Sequence, residues 1–328
     1  MQLASKRIRR GEATGDYPSF RSNVSQVTLK ILLLITVCST AFVAVSVPPI
    51  VHAQESKARN QAPSDDADQS ESSAESATPG DKRIDLGGDS WSWVRLKYDS
   101  AIPSRRSRWA TDYPDADLNL TARIAKVTNL NVDREPLVLE PDTVADAEHP
   151  IVYVSANGDW FVSDDDARSL RRYLESGGFL WIDDSWGDRE KAATKAQIAK
   201  ILPGQPLKEL DLSHPIFHSV YDLDTKPKVP AIAYALQMRG RANDFGPADQ
   251  RQVSYSGIHD EHGRLMVLLC HNTDLADGWE RADDDAWYAE TYSEPLAFPM
   301  GVNIVVHTLQ QRRDREQNAP PAPSKDES

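Results

Sequence analysis

Two adjacent aspartates, Asp183 and Asp184, follow an apolar run at 179–182 that has the composition of a buried strand. Ligands of open α/β sheets bind beyond the carboxyl ends of the strands, so both carboxylates are candidate ligand-binding or catalytic groups. Side chains of adjacent strand residues point to opposite faces, so the pair is not expected to share one ligand. The favoured interpretation is that both carboxylates only satisfy backbone amides. The functional alternative is that one binds a metal or acts as a general base, while the other caps the helix beginning near Asp188 or accepts hydrogen bonds from loop amides.

A second polar group follows the preceding predicted strand, where Asn157, Asp159 and Trp160 surround a glycine. This segment is expected to lie in the same crevice as the aspartates. Asn157 and Asp159 would contact a ligand and Trp160 would stack on a sugar or another ring. The alternative is a turn before the helix at 164–176, with Trp160 packed as a hydrophobic staple.

Histidines form a third group of candidates. His214 and His218 are four residues apart, which suits a metal site on a helix, and His214 is a candidate catalytic residue. Pro215 biases His214 away from helical geometry, so the favoured interpretation is an extended segment that pins the sheet. Three further histidines surround a predicted hairpin and would form either a loop cluster or solvated turns: His259, His262 and His271.

Six acids surround Gly278 and Trp279, which is the composition of a flexible calcium-binding loop. These are Asp274, Asp277, Glu280, Asp283, Asp284 and Asp285. Their spacing does not match the twelve-residue calcium loop of helix-loop-helix proteins, so we predict a solvated loop. We therefore predict no metal ligand here and no cofactor, although a loop that carries tryptophan is a natural place for partner contacts.

Strands and helices must position these residues, and the spacing of apolar residues along the chain alternates between the two-residue period of strands and the 3.6-residue period of helices. The clearest helix follows Ser163, which with Asp166 forms a predicted capping box, and Gly177 supplies a left-handed stop. Alternating strands and helices predict an α/β fold, a three-layer sandwich with a mostly parallel sheet covered on both faces. A late hairpin, flanking His259 to Gly263, is expected at the edge of the sheet.

Composition limits the function classes. The 328 residues include 37 Lys and Arg against 50 Asp and Glu, a net charge of −13, with two cysteines. An acidic chain without a basic stripe is not expected to bind nucleic acid. Two cysteines exclude a disulfide scaffold, and no Cys-x-x-Cys pair is present to hold zinc.

The ends of the chain differ from its centre. Residues 1–53 have the order of a secretory signal peptide, with a basic start, an apolar segment at 31–47 and small residues before Gln54. Export to the periplasm or the extracellular space is predicted; the alternative is an inner-membrane anchor formed by the apolar segment. Residues 54–86 read as a disordered tether, 87–312 as the folded domain and 313–328 as a disordered tail.

The domain resembles a known family. The strand-helix-Gly-Gly-strand pattern at 151–182 looks like the core of class I glutamine amidotransferase-like domains. Four further strings are similar to the bacterial family catalogued as domain of unknown function 4159: Tyr113-Pro-x-Ala-Asp-x-Asn-Leu120, His214-Pro-Ile-Phe217, Asp277-Gly-Trp-Glu280 and Met300-Gly-Val-Asn-Ile304. The resemblance implies a flavodoxin-like fold, frequent membrane attachment or export, an occasional association with BatA-type membrane proteins, and no established activity.

The chain departs from the amidotransferases at the nucleophile. Cys38 lies in the leader, Cys270 ends an apolar strand, and Asp183 and Asp184 hold the elbow position where the catalytic cysteine would stand. No Gly-x-Ser-x-Gly elbow is present either. Glutamine amidotransferase activity is therefore excluded.

Two hypotheses remain. The preferred one is an exported, non-catalytic module that binds a ligand or an envelope or membrane protein. The alternative is a metal-assisted hydrolase that acts on envelope carbohydrate or peptide material and uses Asp183 or Asp184 with His214 and Asp159. Convergence of these four side chains would favour the hydrolase.

Overall fold

The computed structural model describes residues 83–88, 90–102, 107–146, 148–156, 158–239 and 246–318. The predicted signal peptide, its apolar segment and almost all of the tether lie outside these ranges. Within them, no helix combines the length and the apolarity needed to cross a bilayer.

The central element is a seven-stranded sheet with the order β5-β2-β6-β8-β11-β10-β9. The strands are β1 (Ser90–Trp91), β2 (Val94–Leu96), β3 (Asp99–Ser100), β4 (Asn131–Val132), β5 (Leu137–Leu139), β6 (Ile151–Ser155), β7 (Trp160–Phe161), β8 (Phe179–Ser185), β9 (Lys208–Glu209), β10 (Ser254–His259) and β11 (Leu265–His271). Strands β5, β2, β6, β8 and β11 are parallel, whereas β10 is antiparallel to both neighbours. The predicted mostly parallel α/β sheet is confirmed, and the two-residue β9 lies outside the predicted hairpin.

Helices cover both faces of this sheet. They are α1 (Asp115–Val127), α2 (Pro141–Val144), α3 (Asp164–Ser176), α4 (Gly187–Ile201), α5 (Ile232–Gln237), α6 (Leu275–Glu280), α7 (Ala286–Tyr288) and α8 (Phe298–Asn318), with a π-helical turn at Ala289–Ala297. One core packs α1, α6 and α8 on the sheet, and the other packs α3 and α4 on the opposite face.

Strand β8 shows why both faces are covered. Phe179 and Trp181 belong to one core, and Leu180 and Ile182 belong to the other. Successive strand side chains point to opposite faces, so a continuous apolar run needs a helix layer on each side. The Trp181 ring packs on the Trp279 ring of α6 with 5.4 Å between centroids. The apolar sequence of β8 therefore dictates its central position.

Helix α3 begins and ends as its sequence predicts. The Ser163 Oγ accepts a hydrogen bond from the Asp166 N–H at 3.1 Å, and the Asp166 Oδ2 accepts one from the Ser163 N–H at 2.9 Å. Gly177 ends the helix with φ of 120°, a left-handed conformation that glycine adopts without a Cβ penalty. Both termini are therefore determined locally.

The domain extends beyond its predicted boundaries at both ends. Ile84 forms a bridge with Thr128, and Leu86 is buried, so the last residues of the predicted tether belong to the fold. Helix α8 continues to Asn318, six residues beyond the predicted end at 312. An Arg312–Glu316 ion pair across one turn supports this extension.

Candidate functional site

Carboxylates from three distant segments meet at the carboxyl edge of the sheet. Asp112, Asp184 and Asp274 each offer one oxygen, and these oxygens all lie within 4.8 Å of one another. Asp112 also forms such a group with Asp277 and Glu280. We define the carboxylate cluster as Asp112, Asp183, Asp184, Asp274, Asp277 and Glu280.

Strand β8 supplies two members of the cluster in different roles. The Asp183 Oδ2 accepts hydrogen bonds from the N–H groups of Leu275 and Ala276 at 2.9 and 3.1 Å, at the start of α6. Its Oδ1 is buried and makes no hydrogen bond of normal geometry, although the Asp184 amide helps to lower the pKa of this carboxyl. Burial dominates and raises the pKa of Asp183 to about 7. Asp183 thus accepts hydrogen bonds from backbone amides, as the favoured structural interpretation expected, and these amides belong to the start of α6 and not to the helix near Asp188.

Asp184 stands where β8 leaves the sheet. Its φ of 58° is left-handed, a conformation that aspartate and asparagine tolerate better than most side chains. The Asp184 Oδ1 accepts a hydrogen bond from the Trp186 Nε1–H at 2.9 Å. Burial, followed by the negative charges of Asp112 and Asp183, raises the pKa of Asp184 well above its usual range. Non-glycine residues held in this conformation concentrate at functional sites.

Asp112 is held in the cluster by a buried arginine. The Arg95 Nη1 donates to the carbonyl oxygens of Trp109 and Thr111 at 3.1 and 2.7 Å, while its Nε donates to Asp117 at 2.9 Å. Arg95 and Asp117 are both fully buried. The guanidinium therefore fixes the segment that carries Asp112, whose φ is 61°.

Asp112 itself is poorly neutralised. Its Oδ2 is buried and has no hydrogen-bond partner among the described residues. Burial and the charges of Asp277 and Glu280 raise the pKa of Asp112 to about 7, against a smaller lowering by Arg95. The sequence analysis did not identify Asp112 as a candidate site residue. The one feature of the sequence that could have indicated it is that Asp112 directly precedes Tyr113-Pro114, the start of a family motif.

Asp274 and Asp277 are not part of a solvated loop, which corrects the prediction for this segment. Their relative exposures are 5% and 8%, whereas Asp283 and Asp284 are exposed as predicted. The Asp274 Oδ1 accepts the Asp277 N–H at 2.9 Å, so it caps α6. Burial and neighbouring carboxylates, Asp184 first, raise the pKa of Asp274 well above its usual range.

Three members of the cluster lack a cationic partner among the described residues, whereas Glu280 forms an ion pair with Arg281. Within the described ranges, no lysine or arginine side chain donates a hydrogen bond to Asp112, Asp184 or Asp274, and Arg95 is paired with Asp117. Buried carboxylates in this situation bind protons or a cation. Oxygen donors in close proximity are the ligand set that Mg²⁺ and Ca²⁺ prefer.

Two of the three predicted ligand contacts after β6 are buried in packing or hydrogen-bonding roles. Asn157 lies outside the described residues. Trp160 is 2% exposed and packs in the core beside α3 and α4, so it is not available to stack on a ligand. Asp159 is also buried, and its Oδ1 accepts a hydrogen bond from the Ser100 Oγ at 2.7 Å. Pairing of β7 with β3 turns this segment inward.

His214 lies at the opposite edge of the sheet, so it does not converge with Asp183 and Asp184 as the hydrolase hypothesis required. Its Nε2 is 3.3 Å from the Nε2 of His259, at the end of β10. Because β10 is antiparallel to β11, His259 pairs with Leu265 at the amino edge of the parallel strands. Pro215 keeps His214 extended, with ψ of 135°, as expected.

His307 of α8 completes what we call the histidine cluster, with His214 and His259. The rings of His214 and His307 have centroids 5.6 Å apart, and the His307 Nδ1 lies 3.3 Å from the Ser219 Oγ. Burial and then the other two rings lower the pKa of His307 to about 4. His214 also has a lowered pKa, from burial and from His259, so neutral rings are favoured.

The candidate metal pair of His214 and His218 does not form, and the other histidines have separate environments. His218 contacts Asp222 and the Leu212 carbonyl oxygen, away from the His214 Nε2. His262 is exposed, in agreement with a solvated turn. His271 is 2% exposed and lies 3.2 Å from the Ser185 Oγ through its Nδ1, so it is not a turn residue.

Cys270 is inert, in agreement with its predicted position on a buried strand. It is fully buried in β11, and burial raises the pKa of its thiol well above the usual range. A thiol held neutral and out of solvent does not supply a nucleophile. No Cys-based chemistry is therefore available at the carboxyl edge of the described domain.

The sequence strings that suggested a family have structural roles around the site. Asn119 donates from its Nδ2 to the Trp279 carbonyl oxygen at 2.8 Å, which ties α1 to α6. A Cβ on Gly301 would lie 2.8 Å from the Trp279 ring, so only glycine lets α8 approach. The Asn303 Oδ1 accepts the N–H groups of Val220 and Tyr221.

These strings fall within a single family match. The family model described as a domain of unknown function, DUF4159, matches residues 93–309. No curated protein matches the chain. The matched range runs from β2 to the middle of α8 and includes every member of the carboxylate cluster. The chain therefore belongs to the DUF4159 family of domains of unknown function.

Proposed function

We propose that this domain is a binding module that holds a hard divalent cation, Ca²⁺ or Mg²⁺, in the carboxylate cluster. The observation that carries the proposal is the group formed by Asp112, Asp184 and Asp274, whose oxygens lie within 4.8 Å of one another. Ligand oxygens stand about 2.3–2.6 Å from Ca²⁺, so oxygens on opposite sides of one ion are about 5 Å apart. The spacing of the three carboxylates is compatible with one ion between them.

The electrostatics of the cluster support a cation over a purely structural role. Burial raises the pKa of all three carboxyls. The charge of Asp112 raises the pKa of Asp184 further, and the charges of Asp184 and Asp112 raise that of Asp274. A divalent cation would remove this repulsion without requiring the carboxyls to stay protonated. The left-handed φ angles of Asp112 and Asp184, 61° and 58°, add a conformational free-energy cost to the folded state, which the binding of a cation would offset.

The proposal keeps the preferred hypothesis of a non-catalytic module. The hydrolase alternative required Asp183 or Asp184 to converge with His214 and Asp159, but His214 lies at the other edge and Asp159 bonds Ser100. We further propose a flavodoxin-like fold of the class I amidotransferase type. The position of Asp184 supports this fold. It has a left-handed φ at the turn from β8 to α4, which is the strand-to-helix elbow where the amidotransferases carry their catalytic cysteine.

We also propose that the domain works outside the cytoplasm, where it would bind an envelope or membrane partner. The support is the basic, apolar and small-residue order of residues 1–53. Extracellular modules bind Ca²⁺ with dissociation constants of about 10⁻⁴–10⁻³ M, which suits a site of three carboxylates. N-terminal sequencing of protein from the native host is expected to begin near Gln54, and an intact Met1 in the cytosolic fraction would contradict export.

Calorimetric titration tests the cation site directly. The full chain is freed of metal with a chelator and titrated with CaCl₂ or MgCl₂. Binding of one ion is expected, with at least tenfold weaker binding in Asp184→Asn and Asp274→Asn. Asp283→Asn, an exposed acid beside the cluster, is the matched control and is expected to bind like the natural chain. Equal binding by all four proteins, or no binding by any, would refute the site.

A further inference from the structure

The segment at 211–223 is held against β10 and α8 by three attachments. The Phe217 ring is fully buried and packs on the Tyr255 ring of β10, with 5.4 Å between centroids. The Asn303 side chain of α8 accepts two backbone N–H groups of the segment. His214 provides the third attachment, because its ring lies against the other two members of the histidine cluster. Of the three attachments, only the histidines titrate between about pH 5 and pH 8.

The hydrogen bonds of His214 leave no place for a second proton. The Ile216 N–H donates to the His214 Nδ1 at 3.2 Å, so the single proton of the neutral ring lies on Nε2. That Nε2–H donates to the His259 Nε2, which is 3.3 Å away. A further proton on the His214 Nδ1 or on the His259 Nε2 would turn two N–H groups toward each other. Protonation of either ring therefore breaks one of these hydrogen bonds.

His307 of α8 has no group that would stabilise its charged form. It is 7% exposed, and its Nε2 has no hydrogen-bond partner among the described residues. Burial and then the rings of His214 and His259 lower the pKa of His307 to about 4. A buried charge without a partner is costly, so the closed arrangement favours a neutral His307.

Neighbouring charges do not offset the preference for neutral rings. Burial is the largest effect on the pKa of His259 and lowers it. Asp260, directly after β10, acts in the opposite direction but is already paired with Arg264, and Lys208 of β9 lowers the pKa of His259 further. Burial, and then His259, also lower the pKa of His214. Acid therefore weakens the contacts of all three rings.

His218, the other histidine of the segment, responds to acid with the opposite sign. Its bonds to the Leu212 carbonyl oxygen and to Asp222 raise its pKa, and the charge of Asp224 adds to this effect. Acid therefore favours these contacts. Leu212 and Asp222 belong to the segment itself, so these bonds do not attach it to β10 or α8.

We infer that the histidine cluster is a pH-sensitive switch, in which protonation of its rings releases the segment at 211–223 from β10 and α8. The release exposes Ile216 and Phe217, which are fully buried in the closed state. Above about pH 6.5 the rings are neutral and the segment stays closed. As pH falls from about 6.5 toward the lowered pKa values of the closed state, the stability that the neutral rings contribute is lost. This switch does not depend on the cation site.

Hydrogen exchange of the full chain, measured by mass spectrometry in excess chelator at pH 7.5 and at pH 5, tests the switch. With a pKa of about 4 in the closed state and about 6.5 in the open state, protonation of His307 alone raises the ratio of open to closed molecules about 30-fold between these pH values. The protection factors of peptides from 211–223 are therefore expected to fall at least tenfold. At pH 5 they are also expected to lie at least tenfold below those of helix α3, because the segment opens while the core stays folded.

Variants of the cluster assign the response to its rings. His307→Leu removes the most buried ring, and the fall in protection is expected to be at least fivefold smaller than in the natural chain. His259→Gln keeps an acceptor for the His214 Nε2–H without a titrating group, so it is also expected to reduce the fall and covers the case that His307→Leu does not fold. His262→Gln, an exposed histidine beyond the same strand, is the matched control and is expected to behave like the natural chain.

Three results would overturn the switch. The first is protection at 211–223 that is the same at pH 7.5 and pH 5. The second is protection at pH 5 equal to that of helix α3, because the segment would then open only when the whole domain unfolds. The third is an equal fall in the natural chain, His307→Leu and His259→Gln, which would assign the acid response to other groups.

Discussion

The two edges of the sheet hold buried titratable groups of opposite kind. At the carboxyl edge, burial raises the pKa of the carboxylates, and at the amino edge it lowers the pKa of the histidines. In both places burial favours the neutral form. His214 and His259 contact each other and the His307 Nδ1 lies near the Ser219 Oγ, although the buried His307 Nε2 has no partner among the described residues. At the other edge three carboxylates crowd together, so that edge gains more from a bound cation.

The two edges also respond to pH with opposite sign. A carboxyl whose folded pKa is raised destabilises the empty fold as pH rises from the unfolded pKa through the folded one. A histidine whose folded pKa is lowered contributes stability that is complete above the unfolded pKa and lost as pH falls toward the folded pKa. Comparison of single variants at each edge therefore separates the two contributions.

The largest effect is expected from Arg95→Met, which removes the support of the carboxyl edge. The substitution leaves Asp117 charged and buried without its partner, so the free energy of unfolding is expected to fall by about 3–5 kcal/mol. Urea unfolding measures this loss. The double variant Arg95→Met with Asp117→Leu is expected to recover most of it, because no unpaired charge remains. Little loss in the single variant would show that Arg95 does not hold this edge.

A divalent cation is expected to raise the stability of the folded natural chain, and only the carboxyl edge of the sheet is expected to contribute to this effect. At a concentration of about 100 times the dissociation constant, binding contributes about 2.7 kcal/mol. For a domain of this size the melting temperature would rise by about 5–10 °C. Asp184→Asn, with at least tenfold weaker binding, is expected to lower the rise by about half or more, and His259→Gln at the other edge is expected to keep it. A similar rise in Asp184→Asn would place the bound ion elsewhere.

Acid is expected to destabilise the histidine edge. The pKa of His307 is about 4 in the folded chain, against about 6.5 for an unperturbed histidine. Between pH 7.5 and pH 4.5 this group therefore loses about 2–3 kcal/mol of stability. In His307→Leu that loss is expected to disappear, and the difference between the two urea-unfolding profiles cancels the carboxylate contributions. Parallel profiles for the two proteins would show that His307 is not the acid-sensitive group.

The smallest effects distinguish Asp183 from Asp184. Asp183→Ala is expected to cost about 0.5–2 kcal/mol, since it removes the acceptor for the Leu275 and Ala276 amides, and Asp183→Asn is expected to keep part of that bond. Asp184→Asn is expected to leave stability unchanged or raise it, because asparagine tolerates the left-handed φ and removes a charge. Thermal unfolding without metal measures all three. A clear loss in Asp184→Asn would make Asp184 a structural residue.

Much of the fold was accessible from the sequence because its signals are local or periodic. The capping box of Ser163 and Asp166 and the stop at Gly177 involve neighbours in the chain, and the structure confirms each of them. The apolar run of β8 predicted a strand covered on both faces, and the burial of Cys270 followed from the same kind of run in β11. The family was recognisable from short strings that pack around Trp279.

The binding site was only partly accessible, because its members come from segments that are far apart in the chain. Sequence order placed Asp183 and Asp184 at a strand end, but nothing local showed that Asp112 and Asp274 would join Asp184. The acidic run after His271 reads as solvated because charge normally stays in water, yet capping of α6 buries its first members.

The amino-acid sequence by itself determined the alternation of strands and helices, the two-faced burial of the sheet and the absence of a nucleophile at the elbow. Each of these depends on residue type and on spacing within one segment. Only the tertiary structure decided which polar residues meet, because the sheet order sends His214 to the amino edge and Asp112, Asp184 and Asp274 to the carboxyl edge. Strand direction and a left-handed residue at a strand end control that assembly, and neither is encoded in the spacing of the residues concerned.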